Sequence, residues 1–412
     1  MTWLRVALVM MALVLSPPAL RPAVAQSTFA AFIEALWPEA KAFGISRPTF
    51  DAAFKGVEPD LSLPDLILPG RTDATVKGQA EFSRPPQDYL DKKYLTTLAG
   101  QARGFARQHA ASLDRVEADL GVDRRIVLAI WGRETAFGAH KLPHYAIRVL
   151  ATQAYTGRRR ELFRCELLFG LKMLEDRIVT VANMKSSWAG AMGLTQFLPS
   201  EFYQSAYDLD RDGTADLFNS VPDALGSAAK QLKDKGWVAT LPWGFEVKVP
   251  ATLDCGYDGP ANERSLEAWT KAGVTTTSGR PIPPALMARN AYLMSPGGAY
   301  GPSFLVTDNF KVLRAYNTSD LYAVFVGHLA DRIGGTSDFD TPWQAITQLP
   351  NRDVEEIQKL LKAAGSPIDK IDGKIGSNTR WLIGTYQRKA GLKVDCWPTS
   401  ALLSHLRSSP VR

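Results

Sequence analysis

Val127-Leu-Ala-Ile-Trp-Gly-Arg-Glu134-Thr-Ala-Phe-Gly138 is the stretch on which the reading of this chain turns. Asp123 precedes it as an N-cap and Gly138 follows it as a stop. Val127, Ile130, Trp131 and Glu134 recur at i, i+3, i+4 and i+7, so the spacing predicts a helix whose apolar face carries a glutamate. A carboxylate on such a face loses water, which raises its pKa. A place in the last turn pushes the same way, because the helix dipole disfavours negative charge there. A glutamate kept protonated near neutral pH is what a glycosidase acid requires. The helix alone leaves a plainer reading open, in which Glu134 pairs with Arg133 or another base at a frayed end.

A second stretch, Ser187-Trp-Ala-Gly-Ala-Met-Gly-Leu-Thr-Gln-Phe-Leu-Pro-Ser200, lies some fifty residues on. Its small residues let backbones approach closely and leave room beside a few polar groups, as the wall of a sugar cleft needs. Tight helix packing without a ligand is the alternative. Glu-Thr-x-x-Gly followed at this distance by this run resembles the lytic murein transglycosylase B family, whose catalytic domain is lysozyme-like. The ordered match begins near Glu81-Phe-Ser-Arg-Pro85 and continues to Tyr316-Asn-Thr-Ser-Asp-Leu-Tyr322, so it covers most of the chain.

A length of 412 residues calls for two domains or more. With 45% hydrophobic and 22% charged residues, the composition is that of an ordinary globular protein. Residues 1–25 stand apart: Arg5, an apolar run from Val6 to Leu15, helix breakers, then Ala23-Val-Ala25. That pattern reads as a secretory signal cleaved near Ala25, with an apolar run too short to anchor in a membrane. No cysteine follows the cleavage point, so a periplasmic protein without a lipid anchor is expected. Loss of Arg5 and Arg21 takes the formal charge from +6 to +4. Such a balance suits a polyanionic cell envelope and is too small to argue for nucleic acid.

Helical patterns are expected over 29–54, 89–120, 161–175, 223–235 and 321–333. Phe245-Glu-Val-Lys-Val249 alternates as a strand does, and Phe304-Leu-Val is a second strand candidate, so residues 237–315 read as a small β-rich subdomain with a helix at 266–272. Residues 56–86 read as a long ordered loop. The fold class is therefore mainly α (α+β). The domains are a signal at 1–25, a catalytic domain at 26–335, a linker at 336–350 and a module at 351–412. In that module Val354, Gln358, Leu361 and Gly365, then Asp372-Gly373 and Gly376, then Gln387 and Gly391, resemble the peptidoglycan-binding domain 1 family, a three-helix unit. Asp395-Cys396 stands where that family has Asp-Gly.

Asp208-Leu-Asp210-Arg-Asp212-Gly-Thr214 has the spacing of a calcium loop, with oxygens at positions 1, 3 and 5 and a glycine at 6. Position 12 is Asn219 rather than glutamate, and Asp223 is the candidate for the missing carboxylate. The resemblance implies a structural Ca2+ in this loop; a solvated Asp-Gly turn is the alternative. Three cysteines, Cys165, Cys255 and Cys396, permit one disulfide whose pairing spacing does not decide; Cys255 and Cys396 lie in loop-like contexts, and a bridge between them would tie the two domains together. Cys165 reads as core, and Glu161, Glu166, Glu175 and Asp176 as helix-surface acids.

The resemblance implies one catalytic glutamate, Glu134, acting on peptidoglycan without a second acid. It implies that Ser187 and Gln196 hydrogen-bond substrate. Phe197, Tyr316 and Tyr322 would form sugar-facing surfaces, with Asn317 a polar contact. Arg158 and Arg159 would hold lactyl or peptide carboxylates. Where a cleft tyrosine is expected after the calcium loop, this chain has Gln231. A water-using muramidase and a non-catalytic peptidoglycan-binding protein are the competing readings. A monomer is expected.

Overall fold

The computed structural model describes residues 28–68 and 83–409. The signal reading, residues 69–82 of the long loop and the start of the family match at Glu81 lie outside the described residues. The N-terminal half is helical: α1 Phe29–Ala42, α2 Arg47–Phe54, α3 Lys92–Gln108, α4 Arg124–Thr135, α5 Ala146–Thr156, α6 Arg160–Glu175, α7 Pro199–Ser205 and α8 Val221–Asp234. A two-stranded ribbon, β1 His144–Tyr145 against β2 Lys185–Ser186, is inserted among them.

Two apolar cores form in this region. One gathers α3, α4 and α8 with α11, Asp320–Ile333. The other gathers α1, α2, α5 and α6 with Met192 and Phe197 of the small-residue run. Helix α4 is the axis of the first: every residue from Ile126 to Gly132 is buried. A helix apolar on all sides is a central helix, so the amphipathic reading of α4 understated its burial. Each of its large side chains contributes roughly 1.5–3 kcal/mol by leaving water. Tyr316 packs against both cores, which places it on the seam between them.

The β-rich subdomain is a five-stranded antiparallel sheet. Its strands are β3 Gly244–Lys248, β4 Arg264–Ser265, β5 Thr275–Thr276, β6 Asn290–Met294 and β7 Ser303–Val306, in the order β4-β6-β7-β3-β5. Register pairs Leu305 with Phe245 and with Leu293. Alternation along β6 and β7 sends Tyr292, Met294, Phe304 and Val306 into the helical core. Val247, Leu293 and Leu305 point the other way, against Leu266 and Trp269 of α9, Leu266–Lys271. Helix α10, Asp308–Tyr316, then returns the chain to α11. The C-terminal module is three helices, α12 Asn351–Ala363, α13 Ser377–Lys389 and α14 Ser400–Ser408, around Ile357, Leu361, Ile383 and Leu402.

Three expectations change here. Cys165 is exposed and Glu166 is buried, the reverse of the sequence reading. The buried face of α6 is Phe163, Glu166, Leu167 and Gly170; Glu166 is tolerated there because it accepts from the Ser200 amide at 2.9 Å and hydroxyl at 2.6 Å. Burial pushes its carboxyl up, and the Ser200 bonds partly offset this. Helix α4 stops at Thr135, before Gly138, because Ala136 and Phe137 are both left-handed (φ 48° and 60°). Gly132 permits that turn: a Cβ there would meet the Phe137 ring at 2.7 Å.

Helix α11 carries two titratable groups, buried His328 and largely buried Asp331, with opposite pH signatures. His328 is held down to about 4 by burial and by the nearby Arg332, against Asp338. Asp331 is pushed up to about 6 by burial, against the Trp243 indole and Arg125. A depressed histidine contributes stability present above its unfolded pKa near 6.5 and lost as pH falls toward 4. A raised aspartate contributes stability that is present below about 4 and lost as pH rises through 6. The histidine contribution is on the order of 3 kcal/mol, and that of partly exposed Asp331 is smaller. His328→Leu is therefore expected to lose roughly 1–3 kcal/mol less stability than the parent between pH 6.5 and 4.5, measured by urea midpoints. An unchanged pH slope would refute this account of His328.

Candidate active site

The seam between the two cores is where the end of α4 meets the small-residue run. Thr135 ties them: its hydroxyl donates to the Leu194 carbonyl at 2.7 Å and accepts from the Gly138 amide at 3.1 Å. The run folds on itself through Met192 and Phe197, which exchange backbone hydrogen bonds at 2.8 and 2.9 Å. Two glycines make this compactness possible. Gly190 (φ 82°) lies where a Cβ would meet Leu150 at 2.3 Å, and Gly193 (φ 72°) where it would meet the Leu217 carbonyl at 2.6 Å. Non-glycine residues are excluded there by both backbone and space.

Glu134 is partly buried on this seam. The Tyr322 hydroxyl, from the first turn of α11, donates to Glu134 Oε1 at 2.5 Å. The Tyr316 hydroxyl, from the end of α10, donates to the Thr195 carbonyl at 2.7 Å. The two rings are nearly parallel, with centroids 6.4 Å apart and planes 6° apart. Burial, then the Glu134 charge, holds both phenols well above their ordinary pKa, so both remain donors across the physiological range. The guanidinium of neighbouring Arg133 donates to the Tyr89 hydroxyl at 2.7 Å and lies over the Tyr89 and Phe325 rings, and its charge also bears on Glu134.

Several assignments need correction. Phe197 is 1% exposed and Tyr322 2% exposed, so neither offers a face to a sugar. Phe197 belongs to the second core, edge-on to Tyr316; Tyr322 is a partner of the glutamate. Arg158 and Arg159 are half exposed and both sit beside Asp65, at 3.4 and 3.3 Å. Ser187 accepts from the Ala189 and Ala191 amides at 3.4 and 3.3 Å. Gln196, left-handed at φ 58°, donates its amide to the Gly193 carbonyl at 3.0 Å. Asn317 accepts from the Ser319 amide, ordering the turn before α11.

Glu201 is the acid that sequence reading missed. It lies close enough to Tyr316 for its charge to bear on that phenol. Burial pushes its carboxyl up. Both its oxygens are engaged, one by the Leu198 amide at 3.0 Å and one by Gln231 at 2.7 Å. Gln231, read as a departure in the cleft, is thus a buried partner of Glu201. A cavity of about 570 Å³ opens beside Thr135 and Gly193 with Lys141, Arg177 and Lys185 in its lining; Glu134 is not among its lining residues.

In the acidic loop, carboxylate oxygens of Asp208, Asp210 and Asp212 lie within 4.8 Å of one another. Three oxygens so close fit a hard cation of the calcium type. Asp223 does not join them. It is buried, and its oxygens accept from the Leu209, Asp210 and Asp216 amides at 2.9, 3.3 and 3.0 Å, so it braces the loop from below. Thr214 donates its amide to Asp212 at 2.9 Å.

Comparison with known proteins gives one answer. The family model described as Transglycosylase SLT domain matches residues 28–331, and one described as a peptidoglycan binding domain matches residues 350–406. The chain is 32% identical over 233 residues to membrane-bound lytic murein transglycosylase B of Escherichia coli (strain K12); this is 56% of the chain and 62% of that relative. It superposes on SltB3 of Pseudomonas aeruginosa, solved in complex with NAG-anhNAM-pentapeptide, with a TM-score of 0.82 and 39% identity. That match covers 93% of this chain and all of the other. The Escherichia coli lytic transglycosylase Slt35, solved in complex with calcium, matches with a TM-score of 0.58 and 25% identity, over 76% of this chain and 94% of that one.

Proposed function

This chain belongs to the family of the transglycosylase SLT domain, and we propose that it cleaves the MurNAc-GlcNAc β-1,4 bond of peptidoglycan without water, leaving 1,6-anhydroMurNAc ends. The observation that carries this is Glu134 on the seam, gripped by a buried phenol, while Glu201, whose charge also reaches Tyr316, is committed to its own structure. Protonated Glu134 donates to the glycosidic oxygen as the bond breaks. The substrate's own acetamido oxygen stabilises the positive charge at C1. The resulting carboxylate takes the proton of the C6 hydroxyl, whose oxygen closes the anhydro ring, and Glu134 is protonated again. The Tyr322 hydroxyl steadies the carboxylate in that second step.

Ser187, Gln196, Asn317 and Tyr316 line this reading as substrate contacts, and Arg158 and Arg159 as partners for its carboxylates. The signal pattern of residues 1–25 supports export to the periplasm, where the chain would act on glycan strands. No helix among the described residues is long and apolar enough to cross a membrane. The distinguishing experiment digests purified peptidoglycan in H2(18)O. The proposed lyase incorporates no label at the new ends; label at C1 would mean hydrolysis.

Asp208, Asp210, Asp212 and Thr214 are the proposed calcium ligands. The ion takes no part in bond cleavage; bound, it would neutralise the three carboxylates and stiffen the loop. Calcium titrated into the mature chain is expected to raise the melting temperature by several degrees. Asp208→Asn together with Asp210→Asn should abolish that rise, and a rise that survives would place the ion elsewhere.

A further inference from the structure

The helix that holds Glu134 through Tyr322 is itself held by the C-terminal module. Asp320 is the first residue of α11, two before Tyr322, and is buried. Its Oδ2 accepts from the Ser377 amide at 3.0 Å and hydroxyl at 2.6 Å, and from Arg380 at 3.2 Å. Ser377 and Arg380 belong to α13 of the module. Arg380 is 1% exposed. It also donates Nε to Asp258 of the β-rich subdomain at 2.7 Å and Nη1 to the Ile375 carbonyl at 3.2 Å. From the catalytic side, Arg314 approaches the other oxygen of Asp320 at 2.8 Å. The start of α11 is therefore held by two arginines, one from the module and one from the catalytic side, and the module's arginine is itself held by Asp258 of the subdomain.

Independent contacts keep the module from swinging away. Cys255 of the subdomain is disulfide-bonded to Cys396 of the module, with Cα atoms 5.9 Å apart. The Ala299 amide donates to the Asp395 carbonyl at 3.0 Å, and the Tyr300 hydroxyl to the Asp395 carboxylate at 2.8 Å. Close approach is built in on both sides. A Cβ at Gly298 would meet the Asp395 carbonyl at 2.2 Å, and one at Gly384 the Gly256 Cα of the subdomain at 3.0 Å. A wall-docking domain on a loose tether needs none of this.

We infer that the C-terminal module is a working part of the active site, with Arg380 and Ser377 as positioning residues. Through Asp320 they set the first turn of α11, and so the Tyr322–Glu134 hydrogen bond. The inference rests on Glu134 being the acid/base of the proposed reaction. Ser377→Ala removes one bond to Asp320 and leaves Arg380 on Asp258. Arg380→Lys keeps the charge but not the planar fork.

The test uses the full mature chain and a soluble glycan substrate. Ser377→Ala and Arg380→Lys are expected to lower kcat about three- to thirtyfold, with KM within twofold. In a Tyr322→Phe background the Ser377 change should add less than twofold, since the bond it serves is already gone. A structural role alone predicts independent, multiplying losses, and that result would overturn the inference. So would an unchanged kcat in both single variants. A second readout needs no turnover. With 3-fluorotyrosine at position 322, the fluorine signal and its pH midpoint should shift in the Ser377→Ala chain, and an unmoved signal would refute the coupling. Because that spectrum does not depend on lysis, an inactive parent chain would count against the proposed reaction alone.

Discussion

Glu134→Gln is expected to lower release of muropeptides by about 10³–10⁴-fold while leaving binding to peptidoglycan within a few-fold of the parent. Glutamine keeps the size of the side chain and can still accept the Tyr322 hydrogen bond that Glu134 Oε1 accepts at 2.5 Å. It can neither donate a proton to a leaving oxygen nor take one back, so both halves of the reaction fail together. Glu201, the other acid whose charge reaches Tyr316, cannot substitute. Its oxygens are occupied by Leu198 and Gln231. Retention of more than a tenth of the parent rate in a folded variant would remove Glu134 from the reaction and reopen the search for the acid.

Tyr322→Phe should reduce kcat by about 10–100-fold, which corresponds to the roughly 1.5–3 kcal/mol of a hydrogen bond to a charged group. The phenol donates to the ionised form of Glu134 and favours it; loss of the donor raises the proton affinity of the glutamate. Because Glu134 must be protonated to act first as the acid, the expected signature is an upward shift of the basic limb of the kcat–pH profile, with KM nearly unchanged. Tyr316→Phe is the control. Its hydroxyl donates to the Thr195 carbonyl rather than to Glu134, so the same deletion should cost less and leave the pH profile in place. A Tyr322→Phe enzyme with an unshifted profile would make Tyr322 a packing residue only.

Much of this was legible in the residues, and the exceptions share a cause. The periodicity of α4, the capping of α11 and the alternation of β3 and β7 are local properties, and the chain carries them in short windows. The family match fixed the class of the site. What sequence could not supply was which face of a known element meets which neighbour. The family resemblance implies sugar-facing roles for Phe197 and Tyr322, yet the second core takes Phe197 and Glu134 takes the Tyr322 hydroxyl. Glu166 and Cys165 exchanged places because Ser200, thirty-four residues away, satisfies a buried carboxylate. Asp223 was read as a metal ligand from spacing, but the three amides above it claim its oxygens first. The loop contexts of Cys255 and Cys396 point to the pair that the structure joins, whereas the clamp on Asp320, fifty-seven residues away in sequence, lies beyond any local signal.

The account stands on the identity of the new ends made in peptidoglycan. Mass analysis of muropeptides released by the mature protein tests it most directly, with Glu134→Gln run alongside. The account predicts products one water lighter than reducing-ended muropeptides, made by the parent and absent with the variant. Reducing-ended products, or release that persists with Glu134→Gln, would contradict it.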